Sequence, residues 1–509
     1  MTTEMAHPEH SGTTDFESDE PMTHAESDEQ TAQFQCSDTA AVADQEAPKK
    51  MRPWCELAGY IDHGDDESPN DYFPGGLHPV HLGDRLGHDG RYRVVHKLGH
   101  GGFGTVWLCH DKVTNKWRAV KIQAANVDID NCKEMAMAEY LLSKFSREEL
   151  QRNHISLHIE SFLLDGPNGR HLCTVSPLLG PRLEYIHDYY AMCPPLLKHL
   201  SLQVVQGMRF LHSNSVCHGD LRVQNILLQL ADGVDEMPEE ELLSMLGHPE
   251  TTDIFAETGE LDHHIPKYLV TQTSIQFSSG LCAAKPLITD FGLAYQFDNV
   301  PGFTGIPHSY CSPEDMFGEI PMGPASDVWS LGTTIQEICC GFNVLEGHSV
   351  FETVDAMECL IGPVPHPYRR FWGVGGYEFS WRHDCDPEDE SHYIHGTPWF
   401  IQQGYTRPDW FFSGDGSPRA LFITHAQFDE ILRQDFVLTG RIPGYHAPVE
   451  SCRIPFEERI EFAPHLDDED FNSLADLLKS IFRWFPKDRP TVEEIISHDF
   501  FKPAEQRQT

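Results

Sequence analysis

The period of the apolar positions changes several times along the chain, and each change marks an element. Alternation over Arg91-Tyr92-Arg93-Val94-Val95-His96-Lys97-Leu98 predicts a strand. It resumes after Gly99–Gly104 and runs through Val106-Trp107 to Cys109, which predicts a second strand joined to the first by a tight glycine turn. Ala119-Val120-Lys121-Ile122 reads as a third. The spacing then becomes helical, with Met135, Ala138, Leu141, Leu142 and Phe145 on one face. His171-Leu172-Cys173-Thr174-Val175-Ser176-Pro177-Leu178-Leu179-Gly180 predicts a buried strand running into a linker. Leu197, Leu200, Val204, Met208 and Leu211 predict a long amphipathic helix that stops before Asn214.

Between these periodic stretches lie segments of another character. Residues 1–50 hold 12 Asp/Glu against Lys49 and Lys50, with few aromatics, and such a stretch cannot bury enough apolar surface to order itself. Residues 1–53 are therefore expected to be a disordered acidic tail. Residues 54–90 read as a structured lead-in, with turns at Tyr72-Phe73-Pro74-Gly75-Gly76. Residues 232–262 contain 11 Asp/Glu and no Lys or Arg. That composition predicts a disordered surface loop holding a short helical piece at 239–246, before Ile265–Val270 returns as strand.

Charge and cysteine content narrow the class. A formal net charge of -42 argues against nucleic-acid binding and favours basic partners. The 14 Cys include no C-x-x-C pair, which disfavours zinc and fits a reduced, intracellular setting. No apolar run of 18 residues and no basic-then-apolar leader are visible, so no membrane span or secretory signal is expected.

Candidate chemistry gathers around Val216-Cys217-His218-Gly219-Asp220-Leu221-Arg222-Val223-Gln224-Asn225, where a carboxylate precedes a carboxamide by five residues between two apolar runs. Phosphoryl transfer from a nucleotide needs such a pair, an acid to orient the acceptor hydroxyl and an amide oxygen to hold magnesium. Gly99, Gly101, Gly102 and Gly104 would let backbone N–H groups approach phosphate oxygens, and a following strand rather than helix disfavours a dinucleotide-binding turn. Lys121, in an otherwise apolar strand just beyond, is a candidate phosphate ligand. Glu139 is the acid expected to pair with it, with Glu134 as second choice. Asp290 is a carboxylate closing the apolar run Leu287-Ile288-Thr289, with Gly292 just beyond for backbone freedom.

These stretches resemble the signatures of protein kinases. The Gly99–Val106 turn resembles the glycine-rich loop, Ala119–Ile122 the lysine strand, His218–Asn225 the catalytic loop, and Asp290-Phe291-Gly292 the D-F-G segment. Ser312-Pro313-Glu314 resembles A-P-E, Asp327-Val328-Trp329 the helix that follows, and Arg489 the expected ion-pair partner of Glu314. Within the kinases the chain looks like the SR-protein kinase family, particularly fungal members, through Phe73–Asp84, Pro266-Lys267-Tyr268-Leu269-Val270 and the long Trp-, Phe- and Pro-rich stretch between Phe342 and Phe471.

The resemblance implies an α+β, two-lobed kinase fold. It implies an N-lobe over 91–179 and a C-lobe over 180–502 with inserts at about 229–285 and 342–470, then a tail over 503–509. It further implies an ATP- and Mg²⁺-dependent serine/threonine protein kinase, a monomer in cytoplasm or nucleus, phosphorylating Arg/Ser-rich proteins linked to mRNA splicing. Asp220 and Arg222 would act on the transferring group, Lys121 and Glu139 would position phosphates, and Asn225 and Asp290 would hold Mg²⁺. Val106, Ala119, Pro177 and Leu179 would meet the base, with small Ser176 at the back. Three departures stand out: Gly219 in place of the usual Arg, Arg222 in place of Lys, and Pro307 and Cys311 where relatives carry other residues. The competing readings are a pseudokinase binding module and, through the H-G-D loop, a small-molecule kinase.

Overall fold

Residues 92–123 are rich in β-branched and aromatic side chains separated by short polar turns, a composition that suits a half-buried pleated surface. In the computed structural model they build the centre of a six-stranded antiparallel sheet. The structure describes residues 57–58, 67–129, 131–187, 193–256, 261–273, 280–302, 304–318, 320–347, 350–362, 364–365, 368 and 466–502. The acidic tail, most of the stretch between Phe342 and Phe471, and residues 503–509 lie outside the described residues.

In chain order the described strands and helices begin with β1 (Leu57–Ala58), β2 (Arg85–Leu86), β3 (Tyr92–Gly101), β4 (Gly104–Asp111) and β5 (Lys116–Gln123). Next come α1 (Lys133–Lys144), α2 (Arg147–Arg152), β6 (Glu160–Gly166) and β7 (Gly169–Pro177). The sheet order is β2-β3-β4-β5-β7-β6. Its far edge is pinned by Arg91, which grips Asp111 at 2.7 Å through two nitrogens and Glu160 at 2.9 Å.

The second lobe begins with α3 (Pro194–Ser213), which buries all five apolar residues expected of it. It continues through β8 (Val216–Cys217), β9 (Ile226–Leu230), α4 (Glu239–Leu246), β10 (Thr251–Asp253), β11 (Phe255–Ala256), β12 (Tyr268–Val270), β13 (Cys282–Ile288) and β14 (Tyr295–Gln296). It closes with α5 (Pro313–Phe317), α6 (Pro324–Cys340), α7 (Val350–Ile361), α8 (Asp468–Ile481) and α9 (Val492–Ile496). α6 is buried on nearly every face and is the spine of the large core, where Trp329, Leu331 and Ile335 are fully enclosed. Among the described residues no helix is long and apolar enough to cross a membrane.

The segment 232–256 corrects the expectation of a disordered loop. It is ordered because its few apolar residues and its acids both find partners. Val234, Leu242 and Leu246 pack with Val95, Leu108 and Trp117 on the outer face of the sheet. The Trp117 indole N–H donates to the Met237 carbonyl at 2.7 Å. Asp235 and Glu236 each lie 2.9 Å from Lys116, and Glu239 pairs with Arg93. β10 and β12 pair antiparallel, and Leu269 of β12 joins Tyr72 and Leu77 of the lead-in. Charge matching to basic strand residues, invisible from composition, turns an acid-rich stretch into a buttress.

The start of α6 fixes the loop that precedes β9. The side chain of Ser326 caps the helix, accepting from the Gly323 N–H at 3.2 Å. Asp327 instead turns inward and accepts the N–H groups of His218 at 2.7 Å and Gly219 at 2.9 Å. A buried carboxylate from one helix thus fixes the backbone of the loop carrying Asp220. Gly219 sits in the left-handed region at φ +76°, and a Cβ there would lie 2.4 Å from the Leu293 carbonyl oxygen. That close approach explains why no arginine occupies the position. Gly219→Ala should lower stability by about 1–3 kcal/mol, read as a fall in the denaturation midpoint; an unchanged midpoint would show that the backbone can relax there.

Candidate active site

Between the sheet and the helical lobe lies a cavity of about 600 Å³. Its apolar end is formed by Leu98, Val106, Ala119 and Leu227, with Ser176 and the linker Pro177, Leu178 and Leu179 along the back. Its polar end is formed by Lys121, Glu134, Asn225 and Asp290. Residues from Leu98 to Phe291 meet here because β5 and β7 pair side by side, with Ala119 opposite Ser176 and Lys121 opposite Thr174. β9 and β13 pair in the other lobe, bringing Ile226 opposite Ile288. Asn225 and Asp290 therefore sit at neighbouring strand ends, tied by the Thr289 N–H to the Asn225 carbonyl at 2.9 Å.

Asp220 joins this group through Asn225, whose side-chain amide donates to the Asp220 carboxylate and to its backbone carbonyl, both at 2.8 Å. The other Asp220 oxygen is buried and accepts no hydrogen bond. It lies 3.3 Å from Arg222 Nε, close enough for charge attraction. Burial raises the Asp220 carboxyl above its usual range, opposed by Arg222 and His218. His218 is fully buried, its ring against the Thr289 carbonyl and edge-on to Phe291, so it packs the loop.

Lys121 Nζ lies 3.3 Å from Glu134 Oε2 and 3.7 Å from Asp290 Oδ2. Burial would lower the ammonium's pKa, but Asp290 and Glu134 together hold it above its usual value. Burial likewise pushes Asp290 up, and Lys121 outweighs it, keeping the carboxylate ionised. Asp290 occupies the left-handed region at φ +60°, where a residue other than glycine stores strain.

Glu139 is not the partner of Lys121. It is exposed and borders a separate groove with Met135, Leu142 and Ser143. Glu134 and Ala138 share the cavity face of α1, one turn apart, while Glu139 is turned away. Helical spacing alone favours Glu139, which falls among the apolar positions, over Glu134; the seating of α1 on the sheet reverses that order.

Gly101, Gly102 and Gly104 form the tip of the β3–β4 hairpin, where Gly101 pairs with Gly104, and Gly99 lies just below it opposite Val106. Gly101 and Gly102 are open, whereas a Cβ on Gly104 would meet the Ile122 carbonyl oxygen at 2.3 Å. None of the four contributes to the cavity wall directly; Leu98 and Val106 at the base of the hairpin do. Arg182, Gln224 and Gln272 also border the cavity and carry no sequence signal that singles them out.

Residues 92–235 match the protein kinase domain. The chain carries a protein kinase domain. The fold is that of kinases: a solved kinase-domain crystal structure is similar with a TM-score of 0.50 at 19% identity, over 83% of this chain and 98% of that one. In sequence the kinase domain is similar to human SRSF protein kinase 3, 36% identical over 179 residues, 34% of this chain and 31% of that protein. It is also similar to the serine/threonine-protein kinase SKY1 of Saccharomyces cerevisiae, 33% identical over 35% of this chain and 25% of that protein. Protein kinase dsk1 of Schizosaccharomyces pombe is 32% identical over 32% of this chain and 31% of its own length. The matched stretches thus span about a third or less of these relatives.

Proposed function

We propose that the chain is an ATP- and Mg²⁺-dependent serine/threonine kinase acting on basic, Arg/Ser-rich proteins, in cytoplasm or nucleus. The observation that carries this reading is the gathering of Lys121, Asn225 and Asp290 at one end of a single cavity, with Asp220 bonded to Asn225. The apolar end suits a purine. Lys121, held between two carboxylates, suits the α/β-phosphates, with the β3–β4 hairpin closing over them. The Asn225 carboxamide oxygen and the Asp290 carboxylate are hard oxygen donors and fit magnesium, which when bound would neutralise charge on the triphosphate. Asp220 then orients the acceptor hydroxyl with its unbonded oxygen and receives its proton, while Arg222 stabilises charge on the transferring group.

The preference for basic proteins is supported by net charge and by acids beside the catalytic loop. The Glu337 carboxyl is pushed up to about 7 by burial and by Glu184 and Glu346, and it accepts from the Tyr310 hydroxyl. Gln224 bridges this group to Glu184 at 2.8 Å. Like charges held together in this way are relieved by an arginine side chain. The relatives named for SRSF substrates support the same direction.

The deciding experiment incubates the full chain with Mg²⁺, labelled ATP and an Arg/Ser peptide. Phosphate on serine, lost in Lys121→Met, is expected. ATP binding without transfer to any protein would favour a pseudokinase, and transfer only to small alcohols would overturn the reading. A second result follows from Glu337. Its carboxyl is protonated below about pH 7 and ionised above it. KM for an arginine-bearing peptide should therefore fall about three- to tenfold from pH 6 to pH 8. In Glu337→Gln that dependence should vanish; a KM profile unchanged by the substitution would remove Glu337 from substrate binding.

A further inference from the structure

The insert that follows β9 does more than brace the sheet. After β12 it runs as Thr271, Gln272 and Thr273 along the strand leading to the glycine turn. The residues on either side of Gln272 are held by backbone bonds. Thr271 N–H donates to the Glu250 carbonyl at 3.0 Å, and Thr273 N–H donates to the Lys97 carbonyl at 2.9 Å. The Thr273 hydroxyl adds a bond to the Leu246 carbonyl at 2.7 Å. Lys97 itself is fixed, its ammonium buried against Glu67 of the lead-in. Gln272 is therefore presented from a set position although its side chain is exposed.

That side chain borders the cavity. A Cβ on Gly99 would lie 3.7 Å from Gln272 Oε1 and 3.4 Å from Arg182 Nη2, so both polar heads meet the hairpin where it has no side chain. Among the described residues neither head has a hydrogen-bond partner. Gly99 pairs with Val106, between the apolar end of the cavity and the hairpin tip. In a nucleotide the group between base and phosphates is the sugar, and a carboxamide offers both a donor and an acceptor to a vicinal diol.

We propose that Gln272, supplied by the insert, hydrogen-bonds the ribose hydroxyls of the bound nucleotide, making the insert part of the nucleotide site. This rests on the nucleotide reading above. The test measures equilibrium binding of ATP and of 2′,3′-dideoxyadenosine triphosphate to the full chain and to Gln272→Ala and Gln272→Met. The second variant keeps length and packing without the amide. The parent should bind ATP about three- to tenfold more tightly than the dideoxy compound, the effect of one ordinary hydrogen bond. Both variants should lose that advantage while binding the dideoxy compound as the parent does. Unchanged ATP affinity in the variants, or equal losses for both nucleotides, would overturn the inference alone. A parent chain that binds neither nucleotide would overturn the nucleotide reading with it.

Discussion

Asp220→Ala is expected to lower the rate of phosphoryl transfer by about 10²–10⁴-fold, the usual contribution of a positioned acid–base group, while leaving ATP affinity nearly intact. The separation follows from where the carboxylate sits. One oxygen is engaged by the Asn225 amide, and the other is buried and unbonded. A buried acceptor left open is costly unless a donor arrives, and a substrate hydroxyl is such a donor. Lys121, Asp290 and the apolar wall, which would hold the nucleotide, do not depend on Asp220. Single-turnover transfer to an Arg/Ser peptide, with ATP affinity measured separately, distinguishes the two effects. A variant that transfers phosphate at the parental rate would remove Asp220 from the chemistry.

Arg489→Met is expected to destabilise the fold by about 3–5 kcal/mol, because it leaves a buried carboxylate without its counter-ion. Arg489 and Glu314 meet through two bonds of 2.7 Å with both side chains fully enclosed. The remaining guanidinium donors reach the carbonyls of Arg483, Ala325 and Trp484, so all five are used. Ser326 donates to the same Glu314 carboxylate at 2.7 Å. The pair thus ties the chain just before α9 to α5 and to the first turn of α6. Chemical denaturation of Arg489→Met, Glu314→Leu and the double variant measures the coupling. The double variant should recover part of the single losses; strict additivity would show that the two charges do not act as a pair.

How much of this was readable beforehand differs from element to element. The five apolar residues of α3 and the presence of strands β3, β4 and β5 follow from the local pattern alone, because such elements are set by residues a few positions apart. The proposed site residues were readable for a related reason: Asp220 and Asn225 lie on one short loop, and Lys121 and Asp290 each close or interrupt an apolar strand. Other features needed the assembled molecule. Whether Glu134 or Glu139 meets Lys121 depends on a rotation of α1 against the sheet that spacing cannot supply. The order of residues 232–256 depends on Lys116 and Arg93, more than a hundred positions earlier, cancelling the charge of an acid-rich segment. Gly219 is required because the Leu293 carbonyl closes on it, and Gln272 borders the cavity only because Thr273 bonds to Lys97. The sequence by itself determined the periodic elements and the chemistry each carries. The tertiary structure alone decided which acid pairs, which segment orders and which remote residue borders the site, since those depend on contacts between residues far apart in the chain.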